Sequence, residues 1–369
     1  MAESIISIFS SLDDPRMDRT KKYPLIEIIF LTISAIISGA NHFTEIELFG
    51  EENIDWLKKY LDFKEGIPSH DTIGRVFELI DPKSFKDKFI SWVESIHTLK
   101  TGEIIAIDGK TLRRSFDKKS GKRAIHMVSA WACESGLVLG QIKTKEKSNE
   151  ITAIPELLDL LTLKGCIVTI DAMGCQKKIA ESIVDRKADY VLTLKGNQGS
   201  LHENIELYFH KQFKTYEHEK YDYLKTTTES HGRADIREYW IIKPLDYMKK
   251  RGWKNLQGIG VSRLTSKTGD EEHIETRYFL TSLTLDAKIF SKAVRKHWSI
   301  ENSFHWCLDI GFREDELRVR KGDAPDNFAV IRHICMNLLK QEKTLKQGLH
   351  AKRIKAAWSR EYREKVLFG

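Results

Sequence analysis

Asp108 and Asp171 each close a run of mostly aliphatic residues, Ile104-Ile-Ala-Ile107 before the first and Cys166-Ile-Val-Thr-Ile170 before the second. Apolar runs of this length suit strands buried on both faces. Both carboxylates are therefore expected where buried strands leave a core. A carboxylate there costs desolvation energy unless something positive lies beside it. Two brought together repel each other unless cations bridge them. Oxygen-only ligation of this kind suits Mg²⁺ or Mn²⁺ better than zinc. The plainer alternative is a pair of strand-end aspartates that cap the following helices.

A third carboxylate, Glu301, lies between His297 and His305. The three recur every four residues, so on a helix they share one face with a drift of about 40° per step. Such a face could bind zinc, although the order differs from H-E-x-x-H. The stronger reading makes Glu301 the third oxygen ligand, with His297 and His305 as neighbours that hydrogen-bond or face phosphate. Asp309 and Glu314 compete for the same role. Carboxylates on two strand ends and one late helix, beside basic stretches, suit a two-cation phosphoryl-transfer site. One cation would make a nucleophile of water or a 3′-hydroxyl and the other would stabilise the leaving oxygen. Neighbouring Lys and Arg would neutralise a DNA backbone. Gly109-Lys110-Thr111 is not a phosphate-cradling loop, because that motif needs a glycine where Ile104 stands. Gly109 is expected to turn the chain sharply after Asp108.

At 369 residues the chain can hold two or three domains. Its 41 % hydrophobic and 31 % charged residues describe an ordinary globular protein, and a net charge of +7 suits an anionic partner. Lys110, Arg113, Arg114, Lys118, Lys119, Lys122 and Arg123 form one basic stretch; Lys352, Arg353, Lys355, Arg360 and Arg363 fall in another, read as a solvated face. Five scattered cysteines without a C-x-x-C pair argue against a disulfide framework or zinc finger and suit a reducing cytosol. Leu25–Ala40 is shorter than the roughly 20 residues of a membrane span and carries Glu27, so it reads as a buried helix.

Residues 1–98 read as all-helical, with helices over Leu25–Ala40, Thr44–Lys59 and Phe85–Ile96 and one opening near Ser69 or Asp71. They could read DNA or serve assembly. From Glu103 the pattern becomes strands: Ile104–Asp108, His126–Cys133 and Leu137–Thr144, then Cys166–Asp171 and Tyr190–Lys195, with helices over Glu150–Leu161 and Gln176–Arg186. A meander followed by helix–strand–helix–strand predicts a mixed sheet flanked by helices, an α/β domain. Four more strand-like segments between about 198 and 284 read as a β insertion. Helices return over Asp286–Leu308 and Asp323–Lys340, and a basic helix spans Ala351–Val366.

The strings IDGKTLRRS, KSNEITAIPELL, VTIDAMGCQ, DYVLTLKGNQ, His231-Gly-Arg-Ala-Asp-Ile-Arg237 and HWSIENSFHWCLDIGFREDELRVR occur in that order. This set resembles the DDE transposases of the H-repeat-associated group of bacterial insertion sequences, over nearly the whole chain. DDPR and PSHDTIGRVF resemble the helical domain that precedes the catalytic domain there. The resemblance implies a ribonuclease-H-like catalytic domain over 99–341, a helical N-terminal domain over 1–98 and a basic C-terminal helix over 342–369. It implies a catalytic, metal-holding triad of Asp108, Asp171 and Glu301 that takes Mg²⁺, with Mn²⁺ as a substitute. Double-stranded DNA, both terminal inverted repeats and target, would be the partner of a homo-oligomer in a nucleoid-associated, cytoplasmic setting. Lys110, Arg113, Lys195, Asn197, His231, Arg233 and His297 are the expected DNA contacts. Related transposases often carry Tyr, Arg and Lys around the glutamate, where this chain has Val294, His297 and Leu308. Phosphate contacts there must come from elsewhere. The alternatives are a DNA-binding relative that has lost its chemistry and a nuclease of the junction-resolving kind.

Overall fold

The protein is seen in a computed structural model that describes residues 5–116, 123–144, 150–211, 221–230, 232–244 and 246–369. The chain opens with α1 (Ile5–Ser10), α2 (Leu25–Ile37), α3 (Phe43–Leu57), α4 (His70–Leu79) and α5 (Pro82–Ile96). Helix α2 is apolar on all sides and is buried almost throughout, as such a helix must be. Ser69 caps α4 by accepting from the Thr72 N–H, and Asp81 caps α5 by accepting from the Ser84 N–H.

Strands β1 (Ile104–Leu112), β2 (Ile125–Ala132) and β3 (Leu137–Lys143) form an antiparallel meander. After α6 (Glu150–Asp159), strand β4 (Ile167–Ile170) pairs parallel to β1; after α7 (Lys177–Asp185), β5 (Asp189–Leu194) pairs parallel to β4. Helix α8 (Ser200–Lys211) leads to β6 (Tyr221–Ser230), β7 (Arg233–Ile242), the short α9 (Asp246–Lys249), β8 (Gly258–Thr268) and β9 (Glu271–Thr281). The last of these joins β5, so the added strands extend one sheet in the order β3-β2-β1-β4-β5-β9-β8-β7-β6. Helix α10 (Ala287–His297) crosses β1, β4, β5, β6 and β7. A Cβ on Gly260 would come within 2.3 Å of the Phe290 ring, so only glycine lets α10 lie this close.

One expectation is overturned at the strand that matters most. Gly109 does not turn the chain; β1 continues through Gly-Lys-Thr to Leu112 because β2 runs beside it, pairing Gly109 with Val128 and Lys110 with Met127. The other neighbour stops earlier. Ile107 is paired with Ile170, the last residue of β4. Asp108 therefore sits at the notch where one neighbour ends and the other goes on.

Helix α11 (Ala324–Gln341) is buried along most of its length and packs on α2, α4, α5 and β3. Asn337 bonds both the N–H and the C=O of Val138, at 2.8 and 2.9 Å, and so occupies the otherwise open edge of β3. A single apolar core runs from α1 through α11 into the sheet.

The basic C-terminal segment is two helices, α12 (Leu349–Trp358) and α13 (Arg360–Phe368), separated at Ser359, which caps the second. The expected solvated face is also corrected: Lys352, Arg353 and Arg363 are buried. Their charges satisfy carbonyls that helix ends leave without partners. Arg353 donates to the Ile36 carbonyl at 2.9 Å, to the Ala40 carbonyl at 2.8 Å and to the Gly311 carbonyl. Replacing Arg353 by Met is expected to cost about 3 kcal/mol, since several buried carbonyls lose their donor at once. Urea unfolding monitors this; a loss below about 1 kcal/mol would show that water replaces the guanidinium without penalty.

Candidate active site

The notch beside β4 gathers acid. Asp108 is mostly enclosed, and burial pushes its carboxyl up to about 7; the Gly109 N–H opposes this, while Asp171, Glu150 and Glu301 add to it. Asp171 follows β4 directly. Burial and then Glu150 raise its carboxyl, against the backbone N–H groups of Gly174 and Met173 and the charge of Lys195. Its Oδ1 accepts from the Met173 N–H at 3.0 Å and holds the turn before α7. Gln176, not Asp171, occupies the cap position of α7, so the helix-cap alternative fails for this residue.

Glu301 arrives from the far side. The helix expected over Asp286–Leu308 is regular as far as His297, breaks at Trp298, and resumes at Ser299 to run into two π-helical segments, Glu301–His305 and Cys307–Gly311. Such widened turns leave the regular ladder and recur at functional sites. Glu301 is exposed, and its carboxylate has no hydrogen bond or ion pair with any described residue. The histidines part company around it. His297 Nδ1 lies 3.0 Å from the Thr169 hydroxyl, and His305 Nδ1 lies 3.5 Å from Asp108 Oδ2. Burial, with Arg277 near the first and Lys110 near the second, lowers both to about 4. The His305–Asp108 contact is therefore polar and not an ion pair at neutral pH. Nε2 of His305 is buried without a hydrogen-bond partner among the described residues.

The zinc reading fails on this geometry. His297 and His305 serve β4 and β1 separately, so they do not share one face with Glu301. As they are placed, no three His, Cys, Asp or Glu side chains among the described residues stand close enough to hold an ion of any kind, the carboxylates included. Asp309 and Glu314, the rivals of Glu301, both grip Lys110, with Glu314 Oε2 at 2.7 Å. Lys110 thus points into the protein and not outward to phosphate. Burial would push the Glu314 carboxyl up, but Lys110, Arg332 and His333 around it hold it below the usual range.

The other expected contacts are scattered. Lys195 is exposed at the end of β5, and a cleft of about 210 Å³ between them is lined by Asp171, Lys195, Arg277, His297 and Trp298. Asn197 donates to the Ala172 carbonyl at 2.7 Å and so braces the turn behind Asp171. Arg113 is exposed, 3.3 Å from Asp315. Arg233, paired with Asp235 at 2.7 Å, stands at the outer end of the β6–β7 hairpin, away from the carboxylates. His231 and the lysines at 118, 119 and 122 lie outside the described residues.

Sequence reasoning missed Glu150 and His126. Glu150 opens α6 and bonds His126 Nε2 at 2.8 Å, beside Asp108 and Asp171. The available signal was an acidic residue directly before an apolar helical pattern, which reads equally well as an N-terminal dipole match. The donors that converge here are oxygens, mutually repelling and partly desolvated. That chemistry fits a hard divalent cation, which Asp108, Asp171 and Glu301 would hold.

A mixed α/β sheet with clustered carboxylates where parallel strands end defines a carboxylate-centred α/β protein. Comparison with known proteins gives the class its identity. Residues 99–338 match the family described as Transposase DDE domain, and residues 6–93 match its companion, described as DDE_Tnp_1-associated. The chain is 46 % identical to the "Putative transposase YncI" of Escherichia coli O157:H7, over 99 % of this chain and 94 % of that one. It is 42 % identical to the "H repeat-associated putative transposase YhhI" of Escherichia coli K12, over 100 % and 98 %. The protein belongs to the DDE transposase family. Among solved structures, a piggyBac transposase synaptic complex with hairpin DNA aligns over 99 % of this chain and 79 % of that one, at 11 % identity and a TM-score of 0.40. No helix among the described residues is long and apolar enough to cross a membrane.

Replacing Lys110 by Met leaves Glu314 buried without its nearest cation. The expected loss at pH 7 is about 3–5 kcal/mol. In the intact protein the depressed Glu314 pKa contributes stability that is complete above its unfolded value of 4.5 and drains away as pH falls. In the variant an unpaired Glu314 takes up a proton readily. The loss should therefore shrink below about pH 4.5; urea midpoints that differ equally at pH 7 and pH 4 would contradict this pairing.

Proposed function

We propose that this protein is a Mg²⁺-dependent transposase that cuts DNA at the ends of its element and joins the freed 3′-hydroxyls to target DNA. The observation that carries the proposal is the meeting of Asp108, within β1, and Asp171, just past the end of β4, with Glu301 uncommitted and close enough to act on Asp108. The meander β3-β2-β1 continued by parallel β4 and β5 supports a ribonuclease-H-like reading of residues 99–341, with about 198–284 as an insertion.

Divalent cations held by Asp108, Asp171 and Glu301 would activate the attacking oxygen and neutralise the leaving one. The protein's own residues prepare that position. Asn197 and the Met173 N–H fix the turn that carries Asp171. His297 ties the helix that precedes Glu301 to Thr169 of β4. Lys110 anchors the segment after Glu301 through Asp309 and Glu314. Exposed Lys195 beside Asp171, together with Arg113 and Arg233, suits contact with DNA phosphates. Lys110, Asn197 and His297 act on DNA through the residues that they position, and His231 belongs to the proposed contact set by sequence alone. Terminal inverted repeats and target DNA are the partners, bound by an oligomer of this chain, in the bacterial cytoplasm at the nucleoid.

Asp108→Ala, Asp171→Ala and Glu301→Ala should each abolish Mg²⁺-dependent nicking of DNA that carries the inverted repeats flanking the reading frame, with binding of that DNA largely kept. A gel assay reads both. Substantial cleavage by Glu301→Ala would remove it from the site. Binding by the unaltered protein without any nicking would instead favour a relative that recognises DNA but has lost its chemistry.

A further inference from the structure

We propose that Glu150, held by His126, is a fourth oxygen donor of the acidic site and completes the ligand set of one of its two divalent cations. The inference rests on the reading of Asp108, Asp171 and Glu301 as cation ligands and adds a residue that this reading does not contain.

Three observations place Glu150 there. The first is how it is held. His126 stands on β2 opposite Thr111 of β1, its Nδ1 2.9 Å from the Thr111 hydroxyl and its Nε2 2.8 Å from Glu150 Oε1. In the neutral ring one nitrogen accepts and the other donates. An ionised Glu150 can only accept, so Nε2 carries the proton that it receives, and in the neutral ring Nδ1 then accepts from the Thr111 hydroxyl. One carboxylate oxygen is thereby fixed, and Oε2 has no hydrogen-bond partner among the described residues.

The second is the space made for it. A Cβ on Gly109 would fall 2.2 Å from Glu150 Oε1 and 2.4 Å from His126 Nε2. Gly109 lies in a paired strand, where glycine weakens the structure and marks a close approach. What approaches is the Glu150–His126 pair, next to Asp108 in the chain. The missing methyl is a cradle for this carboxylate.

The third is charge. Glu150 acts on Asp108 and on Asp171, and on Asp108 more strongly than Glu301 does. Its repulsion of two buried carboxylates is a cost. Three carboxylates leave two divalent cations with excess positive charge; the fourth balances them.

The experiment titrates metal-free protein with Mn²⁺ alone, reading the free ion by electron paramagnetic resonance, alongside thermal melts. The unaltered protein should take up two ions per chain. Glu150→Gln, which keeps the size and a hydrogen-bonding oxygen for His126, should keep one ion and weaken the other at least tenfold, with a smaller Mn²⁺-induced rise in melting temperature. Should Glu150→Gln misfold by circular dichroism, Glu150→Asp, which withdraws the carboxylate by one methylene, should likewise weaken one ion only. Two ions bound by either folded variant with unaltered affinity would overturn the proposal. Asp108→Asn tests the underlying reading separately. If it leaves Mn²⁺ uptake unchanged, or the unaltered protein takes up none, that reading falls and this inference falls with it; a defect in Asp108→Asn without one in the Glu150 variants sinks this inference alone.

Discussion

Glu314 is wholly enclosed by protein, and an ionised carboxylate is tolerable there only with a cation against it. Lys110 of β1 is that cation, and it takes Asp309 in the same grip. Much of the site's geometry follows from this contact. It pins the end of the π-helical run to the strand that carries Asp108, across some two hundred residues of intervening sequence. The sheet, the insertion and α10 all lie within that loop of chain. The Lys110 contact adds to those of His305 with Asp108 and of Phe304 with Trp131, which hold the same segment against β1 and β2.

Around this anchor the site is built from deliberate mismatches. Strand β4 stops one residue short of Asp108 while β2 continues, which exposes a carboxylate on one side only. Burial holds the imidazoles of His297 and His305 well below their ordinary range, which works against either one supplying positive charge here. The negative charge is thus concentrated, with Lys195 beside Asp171 to oppose it in part. Lys110 is adjacent in sequence to the acidic notch yet turned to a different pair of carboxylates.

Much of this was legible in the residues. Uninterrupted aliphatic runs identify strands buried on both faces, so Asp108 and Asp171 could be paired without coordinates. Ser69 announces a helix start by the same chemistry that it performs. The failures have a common physical origin: they depend on what a residue meets across the fold. Gly109 looks like a hinge because glycine permits turns, but here it is needed for the space beside Glu150. Lys352, Arg353 and Arg363 look solvated because charge usually is; the carbonyls that hold the first two come from α2, α11 and the π-helical end, and those that hold Arg363 from α12. The even four-residue spacing of His297, Glu301 and His305 suggested one face, and only the observed π winding shows that the histidines serve different strands.

Arg353 joins the end of α2 to Gly311, the last residue of the π-helical run that begins at Glu301. It lies in α12, 42 residues after Gly311 in the chain. During synthesis the strands that carry Asp108 and Asp171 leave the ribosome well before this side chain. The grip of Lys110 on Asp309 and Glu314 can form first, and Arg353 then ties the same segment to α2 from the other side. A chain ended between Gly311 and Arg353 would keep its strands and aspartates while lacking this second tether.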